Sequence, residues 1–169
     1  MQAIPRLLAV FLALGFAHTV GAQAPTPPPL NRDFDFWVGN WEVVDPQGTV
    51  VGTNRIERVS GGYGLLENWT AAGTNGGTGK SLNAYNASKK QWQQFWIGAG
   101  GGVLELAGGL NQQGEMVLSG RRPLPAGGSL TNRITWTPRK DGTVRQLWTQ
   151  SKDDGATWTT IFDGIYRRK

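Results

Sequence analysis

From Phe36 onward, no stretch between two turn signatures is long enough to hold a crossover helix. Short runs rich in Val, Ile, Thr, Trp, Tyr and Phe alternate with clusters of Gly, Asn, Asp and Pro. Parallel strands need a connection of about a dozen residues or more, so the spacing predicts antiparallel neighbours throughout. Ten strands are expected, at 36–45, 49–60, 63–72, 79–86, 90–98, 101–109, 114–121, 129–138, 142–151 and 156–168. The joins, among them Asp45-Pro46-Gln47-Gly48, Ser60-Gly61-Gly62, Asn111-Gln112-Gln113-Gly114 and Asp153-Asp154-Gly155, are of hairpin length and carry Gly where a turn requires positive φ. An open ten-strand meander would expose two edges, and closing it into an up-and-down barrel removes both.

Two absences bound the chemistry. Cys does not occur, which removes disulfides, thiolate metal sites, iron–sulfur clusters and thiol catalysis. His occurs once, as His18, inside an N-terminal segment with the form of a secretory leader: Arg6, an apolar run from Leu7 to Ala17, then small residues. Once that segment is removed no His remains, so a Ser-His-Asp triad, a His-ligated haem and the usual transition-metal sites lack their ligands. No cofactor and no metal is expected. The chain divides into a signal peptide over 1–22, with cleavage after Ala22 or Ala24, a Pro-rich disordered arm over 23–31, and a single barrel domain over 32–169. This reading places the product in the periplasm or outside the cell. No other apolar run approaches the roughly 18 residues of a membrane span. The formal charge of +5 is spread over short pairs such as Lys89-Lys90 and Arg121-Arg122, the pattern of a mildly basic solvated surface rather than of a nucleic-acid footprint.

Alternation shows which faces turn inward. Over 129–138, Leu130, Asn132, Ile134 and Trp136 share one face while Thr131, Arg133, Thr135 and Thr137 share the other, and the Trp face is taken as the interior. The same parity turns Glu67 and Trp69, Asn83 and Tyr85, Trp92, Gln94 and Trp96, and Gln146 and Trp148 inward. Each of these strands pairs an aromatic with an amide or carboxylate two residues away. A packed core favours Leu, Ile and Val, because an unpaired buried polar group costs about 1–3 kcal/mol. The mixture therefore suggests a cavity holding water or ligand; the alternative is that these polar groups satisfy one another. Trp69, Tyr85, Trp92, Gln94, Trp96, Asn132, Trp136, Gln146 and Trp148 are the candidate ligand-binding residues. Glu67 and Glu105, both within apolar strands and read as inward, are the candidate acid–base residues, since burial raises a carboxyl pKa toward neutrality.

Near the start of the domain, Gly39-Asn40-Trp41 resembles the G-x-W that opens lipocalin-like and other calycin barrels. FDFWVGNWEV, GYGLLENWT, KQWQQFWIGAGGGVLEL, RITWTP and DGTVRQLWTQSKDDGATWTTIFDGIYRR are together similar to a family of small secreted bacterial proteins placed near the calycins. The likeness runs from about Phe34 to the C-terminus. It implies a calycin-like barrel in which Gly39 and Trp41 are structural, Trp41 plugs one end, and Arg167 or Arg168 of the last strand packs on it. It implies no activity. The nitrobindins, a neighbouring branch, hold haem in a ten-stranded barrel through a His, which this domain does not offer.

Three further motifs are read as local structure. Ser151-Lys152-Asp153-Asp154-Gly155-Ala156-Thr157-Trp158 resembles the Asp-box turn of sialidase blades, a hairpin motif rather than a catalytic one. Thr74-Asn75-Gly76-Gly77-Thr78-Gly79-Lys80-Ser81 lacks the first Gly of a phosphate-binding loop and runs into a strand, not a helix, so it reads as a Gly-rich loop. Asn68-Trp69-Thr70 and Asn86-Ala87-Ser88 are sequons taken as accidental. The expected function is non-covalent binding of a small, partly apolar, planar or sugar-like molecule in a Trp- and amide-lined cavity. Two alternatives stand beside it: an isomerase- or cyclase-type enzyme using a buried Glu, and an envelope interaction module whose filled barrel presents Phe95 and Ile97 outward.

Overall fold

The computed structural model describes residues 29–74, 76–125 and 127–169. The leader, its cleavage site and most of the Pro-rich arm lie outside the described residues. Ten antiparallel strands form one closed meander: β1 (Gly39–Val44), β2 (Val50–Val59), β3 (Gly64–Ala71), β4 (Thr78–Asn86), β5 (Gln91–Gly98), β6 (Val103–Leu110), β7 (Met116–Pro123), β8 (Ser129–Pro138), β9 (Val144–Ser151) and β10 (Thr159–Arg168). Each strand pairs with its neighbours in sequence, and β1 closes the barrel on β10 with Trp41 opposite Arg168 and Val43 opposite Tyr166. Among the described residues no helix is long and apolar enough to cross a membrane.

The first expected strand begins three residues late. Asp35–Trp37 is a single 3-10 turn, closed by Trp37 N–H donating to the Phe34 carbonyl and Val38 N–H to the Asp35 carbonyl. Reading Phe34, Asp35, Phe36 and Trp37 as a strand would place Phe34 and Trp37 on opposite faces. A 3-10 turn brings positions i and i+3 to the same side, and both rings are fully buried. They fill one end of the barrel. Phe34 stacks on Trp37 at 4.9 Å and meets Trp92 and Trp136 edge-on at 5.6 and 5.1 Å, while Trp41 meets Tyr166 edge-on at 6.1 Å. Trp41 Nε1 donates to the Trp37 carbonyl at 2.8 Å. The domain also begins before Arg32: Leu30 packs over Gly62, and Trp92 Nε1 donates to Asn31 Oδ1 at 3.1 Å.

At this sealed end the guanidinium of Arg168 lies 4.4 Å from the Trp41 ring centroid and donates to the Val38 carbonyl at 3.3 Å. Gly39 makes that possible. Its φ is +148°, and a Cβ there would stand 2.6 Å from the Arg168 guanidinium. Arg167 takes no part; it is exposed on the outer face opposite Glu42.

The other end carries the β1–β2, β3–β4, β5–β6, β7–β8 and β9–β10 connections. The last is the Ser151–Trp158 turn: Asp153 accepts from the Thr157 backbone N–H at 2.9 Å, Ser151 Oγ accepts from Gly155 N–H at 2.8 Å, and Trp158 Nε1 donates to the Gly155 carbonyl at 2.9 Å. Bonds to the Asp153 carboxylate from the Thr157 hydroxyl, the Thr157 backbone N–H and the Ser151 hydroxyl, in that order, hold it down to about 2. Arg133 lies 3.8 Å from the Trp158 ring centroid and fixes the turn to β8.

Candidate functional site

Beyond the aromatic plug, the barrel interior is not filled. A cavity of about 180 Å³ lies toward the loop end, bounded by Glu67 and Trp69 of β3, Gln94 and Trp96 of β5, Leu104 of β6, Ile134 and Trp136 of β8, Gln146 and Trp148 of β9, and Ile161, Phe162 and Tyr166 of β10. An apolar cavity of ~150 Å³ accommodates benzene, so this one suits a single ring with small substituents.

The aromatic walls are positioned by glycines. Trp69 lies on Gly52 and Trp96 on Gly79, close enough that a Cβ would stand 2.5 and 2.1 Å from the two indoles; Phe162 covers Gly164, where the distance would be 2.6 Å. Each ring therefore lies flat along the inner wall rather than projecting across the space. A register shift between Thr160 and Phe162 in β10 lets Ile161 join the lining beside Phe162.

One side of the cavity is a polar network. Glu67 is 3% exposed; its Oε1 accepts from Asn54 Nδ2 at 2.7 Å and its Oε2 from Ser81 Oγ at 2.6 Å. Ser81 Oγ in turn accepts from Asn83 Nδ2 at 2.9 Å, and Gln94 Nε2 donates to Asn83 Oδ1 at 2.9 Å. Asn54 Nδ2 also reaches the Tyr166 hydroxyl at 3.2 Å; that hydroxyl donates to Gln146 Oε1 at 2.5 Å, which accepts as well from Trp136 Nε1 at 3.1 Å. Burial raises the Glu67 carboxyl from an ordinary value of 4.5 to about 7, against the opposing bonds from Ser81 and Asn54. Burial, together with the nearby Glu67 charge, pushes Tyr166 well above its ordinary value. Asn54 Oδ1 is buried without a partner, while the Nδ2 of the same amide faces the Glu67 carboxyl.

The expected residues divide into three groups. Trp69, Gln94, Trp96, Trp136, Gln146 and Trp148 surround the cavity with Glu67. Tyr85 and Trp92 face inward at the sealed end, where their rings meet at 6.1 Å and Trp92 is part of the plug. Asn132 accepts from Trp148 Nε1 and Gln150 Nε2, both at 2.9 Å, and lines a separate recess between β6 and β7. Glu105 is a correction: it is exposed on the outer face opposite Phe95, because Leu104 and Leu106 take the inward positions of β6. The residues that sequence reasoning missed are Asn54, Ser81, Phe162 and Tyr166. Extending the parity rule to β2 and β10 finds Asn54 beside Ile56 and Tyr166 two residues from Gly164. Ser81 looks like any strand serine.

Among the described residues, no group of three or more Asp, Glu, His or Cys is placed to hold a metal ion. Compared with models of known protein families the chain matches none, and no curated protein matches it in sequence.

Proposed function

We propose that the protein is an exported, calycin-like binder of a small and largely apolar planar molecule, held non-covalently between indoles in a cavity that the Glu67–Gln146 network borders on one side. The observation that carries this reading is the cavity of about 180 Å³ walled by Trp69, Trp96, Trp136 and Trp148 in a barrel sealed at its far end. Filling an interior with Leu and Ile would be the simpler way to stabilise a barrel, since an unfilled cavity costs about 24 cal/mol per Å³. Aromatic faces stack on flat rings for about 0.5–1.5 kcal/mol beyond area burial, and a hydrogen-bonding wall rejects ligands that leave its groups unpaired. The apolar leader supports export.

Titration with single-ring aromatics, followed by tryptophan fluorescence and calorimetry, tests the reading. Binding should quench or blue-shift the emission, and Trp96→Leu or Trp148→Leu should each weaken it about three- to tenfold with the fold intact. Fluorescence and heat that stay flat across the series would leave the barrel as a scaffold.

A proton-transfer enzyme is the second reading, favoured by the buried Glu67 carboxyl in the cavity wall. It requires that a bound carbon acid exchange a proton for deuterium, and that Glu67→Gln abolish exchange while retaining binding. Exchange at the same rate in both proteins removes it.

A further inference from the structure

The ladder between β6 and β7 runs only from Leu110–Met116 to Ala107–Ser119. Beyond it, Val103–Leu106 and Gly120–Pro123 face each other without ladder pairing, and a recess of about 290 Å³ lies along this seam. Gly120 sits against the Glu105 carbonyl, where a Cβ would come within 1.9 Å, so the strands touch there and part toward the loop end. Leu104 borders the cavity, the seam and a shallow depression at the barrel mouth.

Arg122 lines both the seam and the mouth, together with Trp96, Trp148 and Gln150. It continues the inward parity of Met116 and Leu118 to the loop end of β7. Two of the neighbouring charges are occupied elsewhere. Arg121 pairs with Asp154 at 2.8 Å and donates to Ser129, and Asp153 is held within its turn. Glu105, exposed opposite Phe95, borders the same seam as Arg122 without forming an ion pair among the described residues. The Arg122 side chain makes no ion pair or hydrogen bond among the described residues, which leaves its guanidinium fork free beside a mouth lined by Trp96 and Trp148.

We propose that the ligand is an amphipathic organic anion, an aromatic or cyclic carboxylate whose ring enters the Trp-walled cavity while its carboxylate stays at the mouth on Arg122. This rests on the binding reading above and adds the ligand's charge and orientation. A guanidinium pairs two N–H donors with a carboxylate, a geometry an ammonium does not reproduce. Ring-first insertion keeps the anion away from Glu67.

Phenylacetate and phenylacetamide share a ring and differ in charge, so calorimetry with these two probes tests the assignment, below the Glu67 midpoint and at two salt concentrations. Phenylacetate should bind the wild-type protein about three- to tenfold tighter than the amide, with the advantage shrinking at high salt. Arg122→Gln should bring the acid to the amide's affinity and leave the amide unchanged; Arg122→Lys should recover only part of the difference. Equal binding of both probes to wild type and Arg122→Gln overturns the proposal while the cavity stands as a binding site. Equal weakening of both probes by Arg122→Gln also overturns it, since Arg122 would then shape the mouth rather than recognise charge. If neither probe binds either protein, the binding reading falls and the anion assignment with it.

Discussion

Glu67 is the residue at which stability and function meet. The folded protein holds its proton up to about pH 7, whereas the unfolded chain releases it near 4.5. Between those values the native state binds more protons, so stability from this group is complete below the lower value and is lost as pH rises through the upper one. The loss is on the order of 3 kcal/mol. Urea midpoints should therefore fall across that window, and Glu67→Gln, which removes the titrating carboxyl, should flatten the slope. Parallel curves for the two proteins would show that Glu67 is not buried as described. Glu115 and Asp163, whose carboxyls are lowered chiefly by bonds from Thr137 and Arg145, titrate on the acid side of the window and leave it undisturbed.

At the scale of the strand, the shape of the cavity depends on where side chains are missing. Gly79→Ala places a methyl 2.1 Å from the Trp96 ring, so the indole must swing into the open space. The variant should lose about 1–3 kcal/mol of stability, the usual range for overpacking, and bind single-ring probes more weakly; unchanged binding would mean that Trp96 does not wall the site. The strands themselves were legible because period-two alternation and glycine turns agree along nearly the whole chain. Parity located Trp69, Gln94, Trp96, Trp136, Gln146 and Trp148 on the inner wall. It failed at Glu105, where an acidic residue flanked by Val103 and Ala107 looks buried, although Leu104 and Leu106 have the stronger claim on the interior. It gave no warning of the 3-10 turn, because Phe34, Phe36 and Trp37 fit a strand as well as a helix when only four residues are read.

The whole molecule is asymmetric along its axis, with aromatic rings packed at one end and glycine-rich loops at the other. Trp41 and Arg168 close the packed end as one unit. Trp41→Ala should cost about 3–5 kcal/mol, Arg168→Ala less, and the double variant less than the sum, as chemical denaturation can measure; strict additivity would dissolve the unit. No sequence pattern announced how far the two ends differ, since that depends on which of ten inward faces carry rings at the same height. The first described contacts of the domain and its last residue both sit at the packed end: Leu30 packs over Gly62, and Lys169 N–H donates to the Asn40 carbonyl at 3.1 Å. The barrel is thus a cup with both handles on its base. Anchored to a bead, a surface or a fusion partner through Lys169, it would stand with its rim pointing away from the support.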